Sequence, residues 1–109
     1  MDPVLSANGL AEIYTVLTGT PFNRRPTPLA VAQMLQENVL ESFEIQALTH
    51  GDYTDVIRYC AAQGVTGSRI YDAIHIHAAR MAGCSRIYTF NIQHFRQLAP
   101  DLLNRIMAP

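Results

Sequence analysis

The 109-residue chain reads as an α/β protein with a mostly parallel sheet. Three observations carry that expectation. Apolar residues recur at helical spacing in several segments, two short β-patterned runs fall between those segments, and helices and strands alternate along the chain. Such alternation argues for helices covering both faces of a parallel sheet, a three-layer α/β/α sandwich.

Each element has a local reason. Pro3 to Ser6 reads as the end of a short strand, and Asn8 or Gly9 is placed to cap the helix after it. Leu10, Ile13, Tyr14 and Leu17 then fall at i, i+3, i+4 and i+7, and Gly19 followed by Pro21 ends the pattern. Residues 20–26 form a polar, Pro-bounded loop. Thr27 as cap and Pro28 at the first helical position open a second helix, with Leu29, Ala32, Leu35 and Val39 as its inner face. Phe43 to Leu48 alternates apolar and polar residues, as a half-buried strand does. Asp52 to Gln63 reads as a third helix ended by Gly64, and Ser68 caps a fourth that runs to Gly83. Arg86 to Phe90 is a β-rich run, Asn91 caps a short helical turn through Leu98, and Leu102 to Met107 closes the chain with a last short strand.

The composition bounds the possibilities. Hydrophobic residues make up 49% and charged residues 16%, the balance of one packed domain over 1–109, which excludes a disordered or collagen-like chain. The net charge is −1, so no global positive field attracts nucleic acid, and a polyanion must meet a local patch. All eight cations are Arg. That suits bidentate phosphate contacts, although compositional drift from Lys to Arg is the plainer account. Cys60 and Cys84 show neither CxxC nor zinc-type spacing and read as reduced, buried thiols. No basic leader or run of about 18 apolar residues is present, so a soluble, cytoplasmic protein without membrane contact is expected.

In open parallel sheets, sites gather at the carboxyl ends of the strands, which directs attention to residues 6–12, the region of Asn91, and Asp72. On a helical wheel Ile70, Ile74, His77, Ala78 and Met81 share one stripe of the fourth helix. Asp72 lies nearly opposite, among His75, Ile76 and Ala79. A carboxylate there serves either as a cleft acid or as a complement to the helix dipole. Glu12 reads first as structural: with Gly9 as cap it is the third helical residue, reaching back to the cap. His75 and His77 are two apart and point away from each other, so they cannot chelate one ion together. His75 can support an Asp72-centred site from one turn away, and His77 reads as a partly buried, neutral side chain.

Three segments in order, Leu10–Thr18, Ile70–Ile74 (Ile-Tyr-Asp-Ala-Ile) and Tyr88–Phe95 (Tyr-Thr-Phe-Asn-Ile-Gln-His-Phe), resemble the PIN domain family. The resemblance is to its small VapC-like ribonucleases, the toxins of bacterial toxin–antitoxin systems, and covers Pro3 to Pro109. It implies an α/β/α sandwich with a cluster of acidic residues holding Mg²⁺ or Mn²⁺ for RNA phosphodiester hydrolysis. By that resemblance Glu12, Asp72 and Asn91 stand at the second, third and fourth acidic positions, as metal ligands and catalytic residues, with Asn91 supplying a neutral carbonyl. Only eleven residues precede Glu12, so the family's first strand and first acid are expected to be missing. Asp2 is too close to Glu12 to take that acid's place.

The resemblance thus implies a metal-dependent endoribonuclease with an RNA substrate and a cognate antitoxin. The missing strand leaves three accounts open, a true start upstream of Met1, a decayed toxin, or a shortened sheet closed by pairing with another copy of the chain, and the last, a homo-oligomer, is the one favoured. Two carboxylates make a two-metal site doubtful and activity weak. The alternative is a catalytically impaired PIN relic that binds RNA or antitoxin. A third reading makes the acids helix caps of an unrelated α/β protein.

Overall fold

The computed structural model describes residues 3–19, 26–89 and 91–108. The chain divides into two compact units, Met1–Ala47 and Leu48–Pro109. Each unit contains one pair of short parallel strands and its own helices, so the α/β character and the parallel pairing are both present. Among the described residues the strands form these two pairs, not one continuous sheet.

In the first unit β1 (Val4–Ser6) pairs with β2 (Glu44–Gln46), Leu5 opposite Ile45. Between them lie α1 (Ala7–Gly19), α2 (Pro28–Met34) and a π-helical turn, Leu35–Val39. Ser6, at the end of β1, caps α1: its buried hydroxyl accepts the Gly9 N–H at 3.0 Å. The cap is therefore neither Asn8 nor Gly9. α1 starts three residues earlier than the apolar stripe indicates, because a strand-terminal serine satisfies the first-turn donors. A Cβ at Gly9 would sit 2.8 Å from Leu5 Cδ1, so a larger residue here would displace the Leu5 side chain. Thr27 and Pro28 open α2 as expected, with Thr27 Oγ1 accepting from Ala30 N. Its inner face, however, is Val31 and Leu35, while Leu29 is 79% exposed and Ala32 is also exposed. The π turn that follows, closed by the Leu40 N–H on Leu35 O, adds a residue only after Leu35. The loop expected at 20–26 falls outside the described residues except for Pro26.

In the second unit β3 (Ile87–Tyr88) pairs with β4 (Ile106–Met107). Phe90, the expected end of the third β run, lies outside the described residues. The helices are α3 (His50–Gln63), α4 (Ile70–Ala82) and α5 (Ile92–Leu98), with 3₁₀ turns at Gly67–Arg69 and Pro100–Arg105. α3 begins two residues before Asp52 because Thr49 is its cap. Thr49 Oγ1 accepts the Asp52 N–H, and Asp52 Oδ2 accepts the Thr49 N–H at 2.8 Å, a reciprocal box. Gly64 and Gly83 end α3 and α4 with φ of 69° and 68°. Ser68 does not cap α4; it sits inside the 3₁₀ turn that leads into the helix.

Val56 and Cys60 of α3 pack with Ala73, Ile74 and Ile76 of α4, Phe95 and Leu98 of α5, and Ile87 and Ile106 of the strands. Met81, expected on the buried stripe of α4, is 45% exposed. Both cysteines are free, Cys60 buried and Cys84 half-buried, and burial raises the Cys60 thiol above its usual value. Among the described residues no helix is long and apolar enough to cross a membrane.

Candidate active site

The second unit places Asp72 and Asn91 on two helices that pack together, α4 and α5. Asp72 is the third residue of α4, in its first turn, and its side chain is only 16% exposed. It owes that shelter to its neighbours on the helix, since Ala73, Ile74 and Ile76 anchor α4 in the core. Asn91 stands at the cap position of α5, which its own N–H helps to fix by donating to Thr89 Oγ1 at 3.0 Å. Its side chain makes no capping hydrogen bond, contrary to the role expected of it.

One turn into α5, His94 Nδ1 lies 3.7 Å from Asp72 Oδ2. A second contact fixes the same crossing one turn on: Arg69, at the cap position of α4, donates from Nη2 to Gln97 Oε1 at 2.9 Å. Arg69 and Asp72 are three apart on one helix, and His94 and Gln97 are three apart on the other, so both pairs face each other in register. The Nε of Arg69 is buried without a hydrogen-bond partner among the described residues.

His94 is one of four histidines in the sequence that invite a metal reading, and the sequence assigns it no place at the site. Its signal is present in retrospect, three positions after Asn91 and hence one turn on along the same helix face. His75 is half-buried one turn beyond Asp72 on α4, where the sequence placed it. His77 faces a different neighbour: its Nε2 lies 3.2 Å from Asp52 Oδ1 of α3, with both side chains part-buried. The two histidines therefore serve different faces of α4, as their spacing requires.

Glu12 belongs to the first unit, half-buried on α1. With Ser6 as the cap, Glu12 is the sixth helical residue and not the third, so α1 carries no acid in its first turn. The capping role read from the sequence is thereby removed, because a side chain in the second turn cannot reach back to the cap N–H. The structure thus joins Asp72 to His94 of α5, the helix that Asn91 precedes, within one unit, and Glu12 belongs to the other.

A family model for the PIN domain matches residues 2–99. The chain belongs to the PIN domain family. PIN domains are typically nucleases and generally use divalent metal ions, which gives the Asp72 region its chemical context. Neither the curated proteins nor the solved structures contain a match to this PIN domain.

The donor set around Asp72 can be tested against such an ion. Among the described residues no group of three or more His, Cys, Asp or Glu is placed to hold a metal, so an all-protein cage is absent from them. One sheltered carboxylate, with an imidazole 3.7 Å away and an amide left uncommitted to capping, fits a single hexacoordinate cation that keeps most of its waters. It does not suit a symmetric two-metal clamp, whose two cations need several bridging carboxylates.

Proposed function

We propose that this PIN domain is a metal-dependent endoribonuclease that hydrolyses RNA phosphodiester bonds as the toxin of a toxin–antitoxin pair. The observation that carries the reading is the sheltered Asp72 carboxylate at the start of α4, in a chain matched by the PIN model over residues 2–99. Asp72 is the principal anionic ligand for Mg²⁺ or Mn²⁺. Glu12 is assigned the second carboxylate and Asn91 a neutral carbonyl, both by the positions they hold in the family pattern.

When bound, the cation supplies a water of lowered pKa and stabilises charge on the phosphate and leaving oxygens. The chain's own residues do the rest. Asp72, sheltered and on a helix anchored by Ile74 and Ile76, presents its oxygens in a fixed place, so little reorganisation is needed when an ion arrives. Asn91, whose side chain makes no capping hydrogen bond, can accept a hydrogen bond from a bound water with its carbonyl oxygen or donate one from its NH₂ to a phosphate oxygen. Arg69 holds a planar cation one turn ahead of Asp72 and tethers it through Gln97, a placement suited to a substrate phosphate. A cognate antitoxin is the partner that restrains the activity.

One observation favours a second reading. Asn91 is neutral where the family commonly has an acid, and among the described residues no three metal-binding side chains converge. That pattern suits an impaired relic that binds RNA or antitoxin without cutting.

Cleavage of a mixed structured RNA by the purified chain, with Mn²⁺ or Mg²⁺ and with EDTA, decides between them. We expect metal-dependent cutting that falls at least about 100-fold in Asp72→Ala, the upper end of the loss seen even for outer partners of metal ligands. The variant must unfold at the same temperature as the parent. RNA retained without cutting selects the binding module.

A further inference from the structure

His94 stands beside Asp72 and has no role in the family pattern set out above. We propose that His94 ligates the cation together with Asp72, making a mixed nitrogen–oxygen site that takes a first-row transition ion such as Mn²⁺ in preference to Mg²⁺. This deepens the nuclease reading and rests on its use of Asp72 as a metal ligand.

Three observations lead there. The first is the separation. Nδ1 of His94 and Oδ2 of Asp72 are 3.7 Å apart, beyond the reach of a direct hydrogen bond yet close enough for one ion to touch both. Bonds of about 2.1 Å to each donor span up to about 4.2 Å. The second is the exposure. The Asp72 side chain is 16% exposed and the His94 side chain 50%, so the pair is an inner carboxylate with an imidazole at the solvent side, an open geometry that leaves room for waters and substrate oxygens. The third is the rigidity of the crossing. α5 is anchored by buried Phe95 and Leu98, and the Arg69–Gln97 hydrogen bond holds the same two helices one turn away. The imidazole is thus kept facing the carboxylate before any ion arrives.

The choice of ion follows from donor chemistry. Mg²⁺ is a hard cation that prefers oxygen and gains little from an imidazole, whereas first-row transition ions accept nitrogen readily. Of the other histidines on α4, His77 is engaged by Asp52 and points elsewhere, and His75 lies on the Asp72 helix itself, which makes it the proper control.

The full-length chain is titrated with MnCl₂ and, in competition, with MgCl₂. Free Mn²⁺ is read by electron paramagnetic resonance, and the bound ion by electron spin-echo modulation from directly bonded ¹⁴N. We expect one Mn²⁺ site with a ¹⁴N signature and Mn²⁺ held at least about 10-fold more tightly than Mg²⁺. His94→Gln should erase that signature and weaken Mn²⁺ by about 10-fold or more while leaving Mg²⁺ nearly unchanged. His75→Gln should keep it, and Asp72→Asn should release the ion, each variant retaining its helical circular dichroism.

Bound Mn²⁺ without ¹⁴N coupling, coupling that survives His94→Gln, an equal loss for both ions, or no Mn²⁺ bound at all would each overturn the assignment. The two readings fail separately. RNA cleavage that depends on Asp72 with no nitrogen signature removes only the His94 ligand, and a nitrogen-coordinated Mn²⁺ with no cleavage removes only the nuclease.

Discussion

Asp52 shows how far a single carboxylate can be tuned without belonging to the catalytic chemistry. Its carboxyl is held below the ordinary value of 3.8, chiefly because it accepts the Thr49 backbone N–H, and further by His77 and the Thr49 hydroxyl. A depressed carboxylate stabilises the fold fully above its unfolded value and loses that contribution as the pH falls through the folded one. We therefore expect Asp52→Asn to lower the urea midpoint at pH 7 and the gap from the parent to close as the pH falls below the ordinary carboxyl value of 3.8. A gap of constant size across that fall would remove the ionic part of the α3 cap. Asp101 behaves alike on the surface, where a two-pronged hydrogen bond from Arg80 at 2.7 and 2.8 Å lowers it to about 2. For that reason the comparison needs the single variant and not the acid unfolding curve of the parent alone. At this scale the sequence was readable where a residue's neighbours in the chain decide its place. Asp72 in the first turn of a covered helix is such a case. For His94 the spacing from Asn91 shows only a shared helix face, and its meeting with Asp72 comes from a helix crossing between residues 22 apart in the chain. The capping reading of Glu12 depends on Gly9 as the cap, three residues beyond Ser6, which caps α1.

Helix ends are the elements that local chemistry dictates best. Thr27–Pro28 opens α2, and Gly64 and Gly83 close α3 and α4, each where the sequence puts them. The strands are harder to read. They are two or three residues long, and their register depends on partners about 40 residues away for β1–β2 and about 19 for β3–β4. The inner face of α2 runs through Val31 and Leu35, at i and i+4, and leaves Leu29 and Ala32 to solvent, a choice between two helical stripes that packing and not spacing makes. The glycine ends allow a clean test. Gly64 adopts φ of 69° with open space where a Cβ would go, so Gly64→Ala should cost about 1 kcal/mol from backbone conformation alone. Gly51, in the first turn of the same helix, has an ordinary φ, and a Cβ there meets only Thr49 Oγ1 at 3.8 Å. Gly51→Ala should be neutral or stabilise by up to about 1 kcal/mol. Equal effects from the two substitutions, measured by denaturant unfolding, would show that packing and not backbone conformation sets the end of α3.

At the scale of the molecule, charge limits how RNA can be held. The chain carries a net charge of −1, has no lysine, and pairs Arg80 with Asp101. Long-range attraction to a polyanion is therefore weak, and binding must come from a few close contacts near Asp72. Each phosphate neutralised on a single strand contributes about −0.7 to the slope of log affinity against log salt. For a site that grips about three phosphates we expect a slope near −2, measured by fluorescence anisotropy of a single-stranded RNA on the uncleaving Asp72→Asn variant. Arg69→Gln should make the slope shallower by about one phosphate's share while leaving the helices folded. A slope of about −5 or steeper would mean an extended basic tract holds the RNA. In that event recognition would lie outside the α4–α5 crossing, and the chemistry at Asp72 would be served by a separate binding surface.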